Sequence, residues 1–499
     1  MPFEFIDNNA AIDRASRKRI RSRAATGKNL NRTIARSSRA IVPKGTTAAP
    51  FRVPASIRNA HKRQYDTDGD VEIEIERPVG DGLQFPVPVP PESRYLVREG
   101  MYTSLSTLFF FCGVRHNPLL DSALDNPDNI RSVWVRYFFL DEAYFHCSVA
   151  TLILCSRNLV KETAQGMRHI AHTYRILQER LCGKEATSDM TIAILVIMAQ
   201  YERLQGQHAR GYIHVQGMKR MIELRGGIMG LGKENWGIIL KVLRADLEYA
   251  LQLGSQTLFS DEGIDVLRAW RPVYVGCGNK GDQVNDLGLD SFLQKNLQPD
   301  LWMIFSDIRC LATILNDADA GYRQKLEGVE FHDTIILLGY RLLRIRPLGE
   351  TSSPNASSGT RMSDLENVVH LSLMAFLVTF LTGLDRQVPD KPLLSHRLGV
   401  ALKTLTAPDE AGPETQMVRS VLLWTLFIGS VVVFKPVEDE WLTPTTQAAK
   451  RALGLSSWED TKKVLVRFPW VNPLHDRAGI ALSSAQKLLE FSSNPGILP

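Results

Sequence analysis

The sequence predicts an all-α protein: a large multi-helix domain preceded by a basic arm and a linker. Three observations carry that expectation. From Tyr95 onward, apolar residues recur at spacings of three and four almost throughout. Strand-like alternation is rare, and there is no fixed-period repeat. Basic character is confined to one end: residues 1–65 hold 15 Lys/Arg against three acids (Glu4, Asp7, Asp13), a net of +12, while the other 434 residues hold 44 basic against 51 acidic side chains, a net of −7. With 499 residues, 44 % hydrophobic and 23 % charged, the chain can build a large core. Single cores tend to stop growing near ~250–300 residues, so the one helical domain is large enough to hold two subregions.

Residues 1–65 form the first segment, poor in periodic apolar positions and expected to be disordered. The stretch "RASRKRIRSR" puts six cations in ten positions: Arg14, Arg17, Lys18, Arg19, Arg21 and Arg23. Such runs meet import receptors or nucleic-acid backbone by charge, or form a solvated arm. The run has no interleaved aromatics, no homeodomain signature, no C2H2 spacing and no following heptads, so nothing in it holds side chains rigidly against base edges. These six residues are candidates for nuclear localisation or phosphate contact. The N-terminus has no apolar h-region of the secretory kind.

Residues 66–94 read as a linker, first acidic ("DTDGDVEIEIE"), then stiff and proline-rich ("PVPVPP"). The acidic part opens like a calcium loop, but its sixth position is Val71 and its twelfth Arg77, which excludes an EF-hand.

Residues 95–495 read as the helical domain. Periodic runs are expected to be helices over 141–154, 188–204, 211–227, 236–253, 299–316, 330–345, 364–384, 414–434 and 478–491. Ser188 and Asp189 are capping candidates for the second of these. The run 211–227 places Ile213, Gly217, Met221 and Leu224 on one apolar face, then meets Gly226 and Gly227, expected to be the structural stop of that helix. The nearly uncharged stretch 420–434 falls short of a membrane span and reads as a buried core helix. "TSSPNASSGT", 351–360, reads as a loop inside the body.

Motifs of chemistry are sparse. "GCGNKG", 276–281, matches G-x-G-x-x-G but runs into "DQVNDLGLD", too polar and glycine-broken for a dinucleotide-binding helix, so a loop is expected. His169 and His172 lie three apart on a helix without H-E-x-x-H or a nearby cysteine pair, and read as ordinary helix-surface residues. No nucleophile elbow or Walker phosphate loop is present. The six cysteines are scattered without C-x-x-C and are expected to be reduced thiols. No catalytic residue, cofactor or metal site is expected, and the chain does not read as an enzyme.

Four segments carry a resemblance. "FEFIDNNAAIDRASRKRIRSRAATGKN" (3–29) resembles a family opening in which F-x-F precedes a basic I-R-[ST] pattern. "HVQGMKRMIELRGGIMGLG" (214–232) resembles the family's His-x-x-Gly helix running into L-R-G-G. "ADLEYALQLGSQTLF" (245–259) and "SVLLWTLFIGSV" (420–431) are similar to later segments, in the same order. The family is the fungal-specific transcription-factor-like domain of the second type, whose members are often labelled transcription factor domain-containing or tachykinin family protein. The resemblance implies an all-helical regulatory domain. In many members that domain follows a binuclear zinc cluster of six cysteines, but here no cysteine precedes Cys112 and the six have no cluster spacing. Where the family opening commonly carries His and Met, this chain has Arg23, Ala24 and Ala25.

The reading is therefore a nuclear, transcription-regulator-like protein acting through an all-helical interaction or effector domain, without its own zinc-cluster DNA-reading module. Protein partners of transcription regulation are expected, with DNA contact at most weak and non-specific, and no membrane. The alternative is a cytoplasmic interaction or scaffold protein that retains the fold only. An enzyme of a secondary-metabolite pathway has the least support.

Overall fold

Each periodic run expected to be helical overlaps an α-helix. The computed structural model describes residues 86–88, 117–125, 134, 136–156, 163–270, 287–349, 362–381, 391–405, 412–435 and 439–493. The long α-helices are α1 (Glu142–Ser156), α2 (Ala164–Leu181), α3 (Asp189–Leu204), α4 (His208–Leu224), α5 (Trp236–Leu253), α6 (Ser260–Trp270), α7 (Leu287–Asn296), α8 (Pro299–Asp319), α9 (Gly328–Ile345), α10 (Asp364–Val378), α11 (Pro392–Thr404), α12 (Pro413–Val432), α13 (Leu442–Ala452), α14 (Trp458–Leu465) and α15 (Asn472–Ser493). Among the described residues there is no strand, only one isolated bridge between Leu124 and Leu326.

Helix starts follow local chemistry. Thr163, Ser188 and Ser457 cap α2, α3 and α14, each side chain accepting from a backbone N–H of the first turn. Ser363 and Glu366 form a reciprocal capping box at α10. Pro299, Pro392 and Pro413 open α8, α11 and α12, where a missing N–H costs nothing.

Packing runs in a chain of neighbours. α1 lies along α2, α3 along α4, and α1 also packs on α3. α5 contacts α3, α4 and α9; α9 leads to α10, α10 to α12, and α12 to α15. α5, α9, α10 and α12 form the core's spine, buried on nearly every side. Trp424 of α12 stacks on Phe468 at 5.2 Å between ring centroids and donates Nε1–H to the Pro469 carbonyl. α12 is long and apolar enough to cross a membrane, yet 67 % of that window is buried inside the protein, as in a core helix.

Buried charge is paired. Glu248 of α5 takes Arg203 at 2.9 Å and Arg244 at 3.0 Å. Burial alone would raise its carboxyl, but the two guanidiniums more than offset that and hold it below the usual range. Arg341 of α9 meets Asp307 of α8. Asp246 accepts from the N–H groups of Leu258 and Phe259 and from the Tyr340 hydroxyl, which fixes the turn between α5 and α6.

α5 and α9 carry the core of the body continuously from α3 to α10. Two expectations change. The buried face of α4 is Gly211, Val215, Met218, Met221 and Ile222, while Ile213 and Leu224 are 64 % and 63 % exposed. Cys147 and Cys182 are free thiols, but Cys310 is disulfide-bonded, a pairing that sequence spacing does not encode.

Candidate functional site

α2 presents two stripes. Met167, Ile170, Ala171 and Tyr174, at spacings of three and four, line a cavity of about 300 Å³ that α3 and the start of α4 complete. The last turn of α3 contributes Tyr201 and Glu202, and Gln205 follows as its cap. The chain reverses at Gly206, with φ +70°, and returns through Gln207 and Arg210.

Glu202 is the cavity's central charge, 1 % exposed. Tyr174 Oη donates to its Oε1 at 3.0 Å, and Arg210 Nη2 reaches the same oxygen at 3.1 Å. His214 Nε2 lies 3.4 Å from Tyr174 Oη. Burial first, then the Glu202 charge, push the Tyr174 phenol up to about 12, so it stays protonated and donates. Burial, helped by Arg210, holds His214 down to about 4, so it is neutral at pH 7. The lining mixes three apolar side chains with a carboxylate, two phenols and two carboxamides, while Arg210 is 58 % exposed. Such a site suits a small molecule or a partner side chain with an apolar body and hydrogen-bond donors.

The other stripe of α2 carries His169 and His172 against Glu142 and His146 of α1. His172 Nε2 lies 2.7 Å from Glu142 Oε1, and His146 Nε2 lies 3.9 Å from that oxygen. His146 Nδ1 lies 2.7 Å from His169 Nδ1. Burial, then the neighbouring His169 and His172, hold His146 down to about 4. The expectation of two ordinary surface histidines is corrected here. His169 is buried against the His146 ring, and His172 meets both the Glu142 carboxylate and that ring. Glu142 and His146 were missed; their own i, i+4 spacing in "DEAYFHCS" was the available signal.

Arg14, Arg17, Lys18, Arg19, Arg21 and Arg23 lie outside the described residues, as do "DTDGDVEIEIE" and "GCGNKG". Gly226 and Gly227 follow the end of α4 at φ +91° and +85°, with Gly227 N–H donating to the Ile222 carbonyl at 2.9 Å. Ile228 N–H then donates to Glu262 of α6.

The described residues build an all-helical domain with paired internal charge and a small mixed-polarity cavity among α2, α3 and α4. The chain belongs to the fungal specific transcription factor domain family, whose model matches residues 117–465. No curated protein and no solved structure matches it. Membership gives the chain a transcription-regulator-like role in a family that is typically non-enzymatic.

Proposed function

We propose that this protein is a nuclear transcription regulator that works through its helical domain and carries no zinc-cluster DNA-reading module of its own. The observation that carries the reading is the family match over 117–465. Two sequence facts shape it. Residues 1–111 contain no cysteine, so a binuclear cluster has no ligands in that stretch. The +12 of residues 1–65 stands beside a body of −7.

In this reading the basic run docks on the acidic surface of an import receptor by charge. The body then meets protein partners of transcription, and the cavity between α2, α3 and α4 receives a small effector or a partner side chain. Glu202 and Tyr174 orient that group by hydrogen bonds, while Met167 and Ile170 cover its apolar part. Binding there ties the start of α4 to α2 and so biases the surface that the helices present.

The test is localisation of a fluorescent fusion, with Arg17, Lys18, Arg19 and Arg21 changed together to Ala. The wild type is expected in the nucleus and the quadruple variant is expected to lose nuclear accumulation at unchanged melting temperature. A cytoplasmic wild type sinks the nuclear reading and favours the scaffold alternative. A quadruple variant that stays nuclear removes the arm from it. Chromatin immunoprecipitation with partner identification then tells through whom the chain reaches DNA.

A further inference from the structure

The seam between α1 and α2 concentrates metal-ligand chemistry. α1 supplies Glu142 and His146 one turn apart, and α2 supplies His169 and His172 in the same way. The ligand atoms of Glu142, His146 and His172 all lie within 4.8 Å of one another. The rings of His146 and His172 meet edge-on with centroids 4.4 Å apart, and those of His146 and His169 at 5.0 Å. Three imidazoles and a carboxylate from two helices therefore converge on one small volume.

We infer that Glu142, His146 and His172 form a binding site for a divalent transition-metal ion of the zinc class, with His169 as the group that orients His146. Two imidazoles and one carboxylate are a donor set that such ions accept, and hard ions such as Mg²⁺ prefer all-oxygen sites. The 2.7 Å contact between the Nδ1 atoms of His146 and His169 requires that one of them carry a proton and the other a lone pair. When His146 is the donor, its Nε2 lone pair faces Glu142 and is free to bind a cation. A ligating histidine whose other nitrogen is held by a hydrogen bond is the arrangement that fixes tautomer and ring orientation in metal sites.

The rest of the seam has room to adjust. His172 Nε2 and Glu142 Oε1 stand at 2.7 Å, while two ligands of a tetrahedral zinc stand ~3.3 Å apart, given bonds of about 2.0–2.1 Å. Glu142 and His172 are the two most exposed members, at 40 % and 36 %, so a small side-chain rotation opens the gap and leaves a path from solvent. His172 must then carry its proton on Nδ1. Arg175 is the competing cation, its guanidinium 3.3 Å from His172 Nε2. It is 57 % exposed and already reaches Glu179 at 3.1 Å, so it has an alternative partner when a metal arrives. Water or a ligand atom would complete the coordination, because three protein donors leave a tetrahedral ion one position short.

This inference does not rest on the regulatory reading. Its test is titration of the full, metal-stripped chain with cobalt chloride and then zinc chloride, without any other ligand. One equivalent of cobalt is expected to give visible bands of a nitrogen–oxygen site with no thiolate charge-transfer band, and zinc is expected to displace it. Zinc should also raise the melting temperature. His172→Asn and Glu142→Gln, both at half-exposed positions, are each expected to abolish the saturable step while lowering the metal-free melting temperature only slightly, since an exposed pair contributes little. His169→Phe is expected to weaken binding roughly 10–100-fold, as loss of an orienting partner does. A wild type that binds cobalt no better than His172→Asn, or a spectrum dominated by thiolate, overturns the site. Should one variant fail to fold by circular dichroism, the other decides alone. Nuclear localisation is read separately, so failure of either idea leaves the other standing.

Discussion

At the scale of single residues, two adjacent glycines do different work. Both sit at φ near +90°, which costs a residue with a Cβ about 1–2 kcal/mol. A Cβ on Gly226 would meet open space, whereas one on Gly227 would run into the Glu262 carboxylate. That carboxylate accepts from the Ile228 N–H, so displacing it also removes a hydrogen bond between the turn and α6. Gly226→Ala is therefore expected to lose about 1–2 kcal/mol, and Gly227→Ala about 1 kcal/mol more, since a lost buried hydrogen bond costs that much. Urea unfolding of the two variants measures this directly. Equal losses would mean that Glu262 does not hold the turn, and no loss in either would mean that the backbone relaxes out of the left-handed region.

At the scale of elements, the junction of α9, α10 and α15 rests on two buried neutral histidines. His370 of α10 donates Nε2–H to the Leu342 carbonyl of α9 at 3.0 Å. His475 of α15 accepts the Val471 N–H on Nδ1 at 2.9 Å and lies between Phe376 and Trp470. Burial holds His370 down to about 4 and His475 down to about 3, from an ordinary 6.5. In the unfolded chain both take up a proton as pH falls through 6.5, while in the folded chain they stay neutral down to those lower values. The unfolded state thus binds more protons in that window. The stability these residues contribute is complete above pH 6.5 and drains away as pH falls towards about 4, on the order of 3 kcal/mol for each. A His370→Gln, His475→Gln double variant should start with a lower melting temperature at pH 7.5 but show a shallower decline on acidification. The slope should flatten only in part, because His146 and His214, also held at about 4, remain. Parallel curves from pH 7.5 to 4 for both proteins would assign the acid response elsewhere.

At the scale of the whole molecule, charge is divided between arm and body. The Lys/Arg run of residues 1–65 offers counterion release, which in non-specific binding gives dissociation constants of roughly 10⁻⁴–10⁻⁶ M at physiological salt. The −7 of the remaining chain repels a duplex and should weaken even this. Purified protein is expected to bind unrelated duplexes about equally, to lose binding steeply as salt rises, and to lose it altogether when residues 1–65 are deleted. A selection on random duplexes that returns one enriched motif at nanomolar affinity would reveal a reading element, and would contradict the proposal that specificity comes from partners.

The sequence by itself determined the helical class, the family and most of the long helices. The runs 188–204, 236–253 and 414–434 lie within two residues of α3, α5 and α12 at each end, because apolar spacing and caps such as Ser188 act within one or two turns. It placed His169 and His172 on a helix without bounding α2, and it passed over α6, α7, α11, α13 and α14, all 13 residues or shorter. Pieces that short hold their helical form chiefly through the neighbours they pack against. Only the tertiary structure decided which stripe of α4 is buried, since its sequence offers one stripe with Ile213 and Leu224 and another with Val215, Met218 and Ile222. α3 and α5 pack on the second. The same holds for the cavity around Glu202 and for the seam of Glu142, His146, His169 and His172. Each half of that seam is an ordinary i, i+3 or i, i+4 pair on its own helix. Local periodicity says which residues share a helix face, but contacts between helices decide which faces meet.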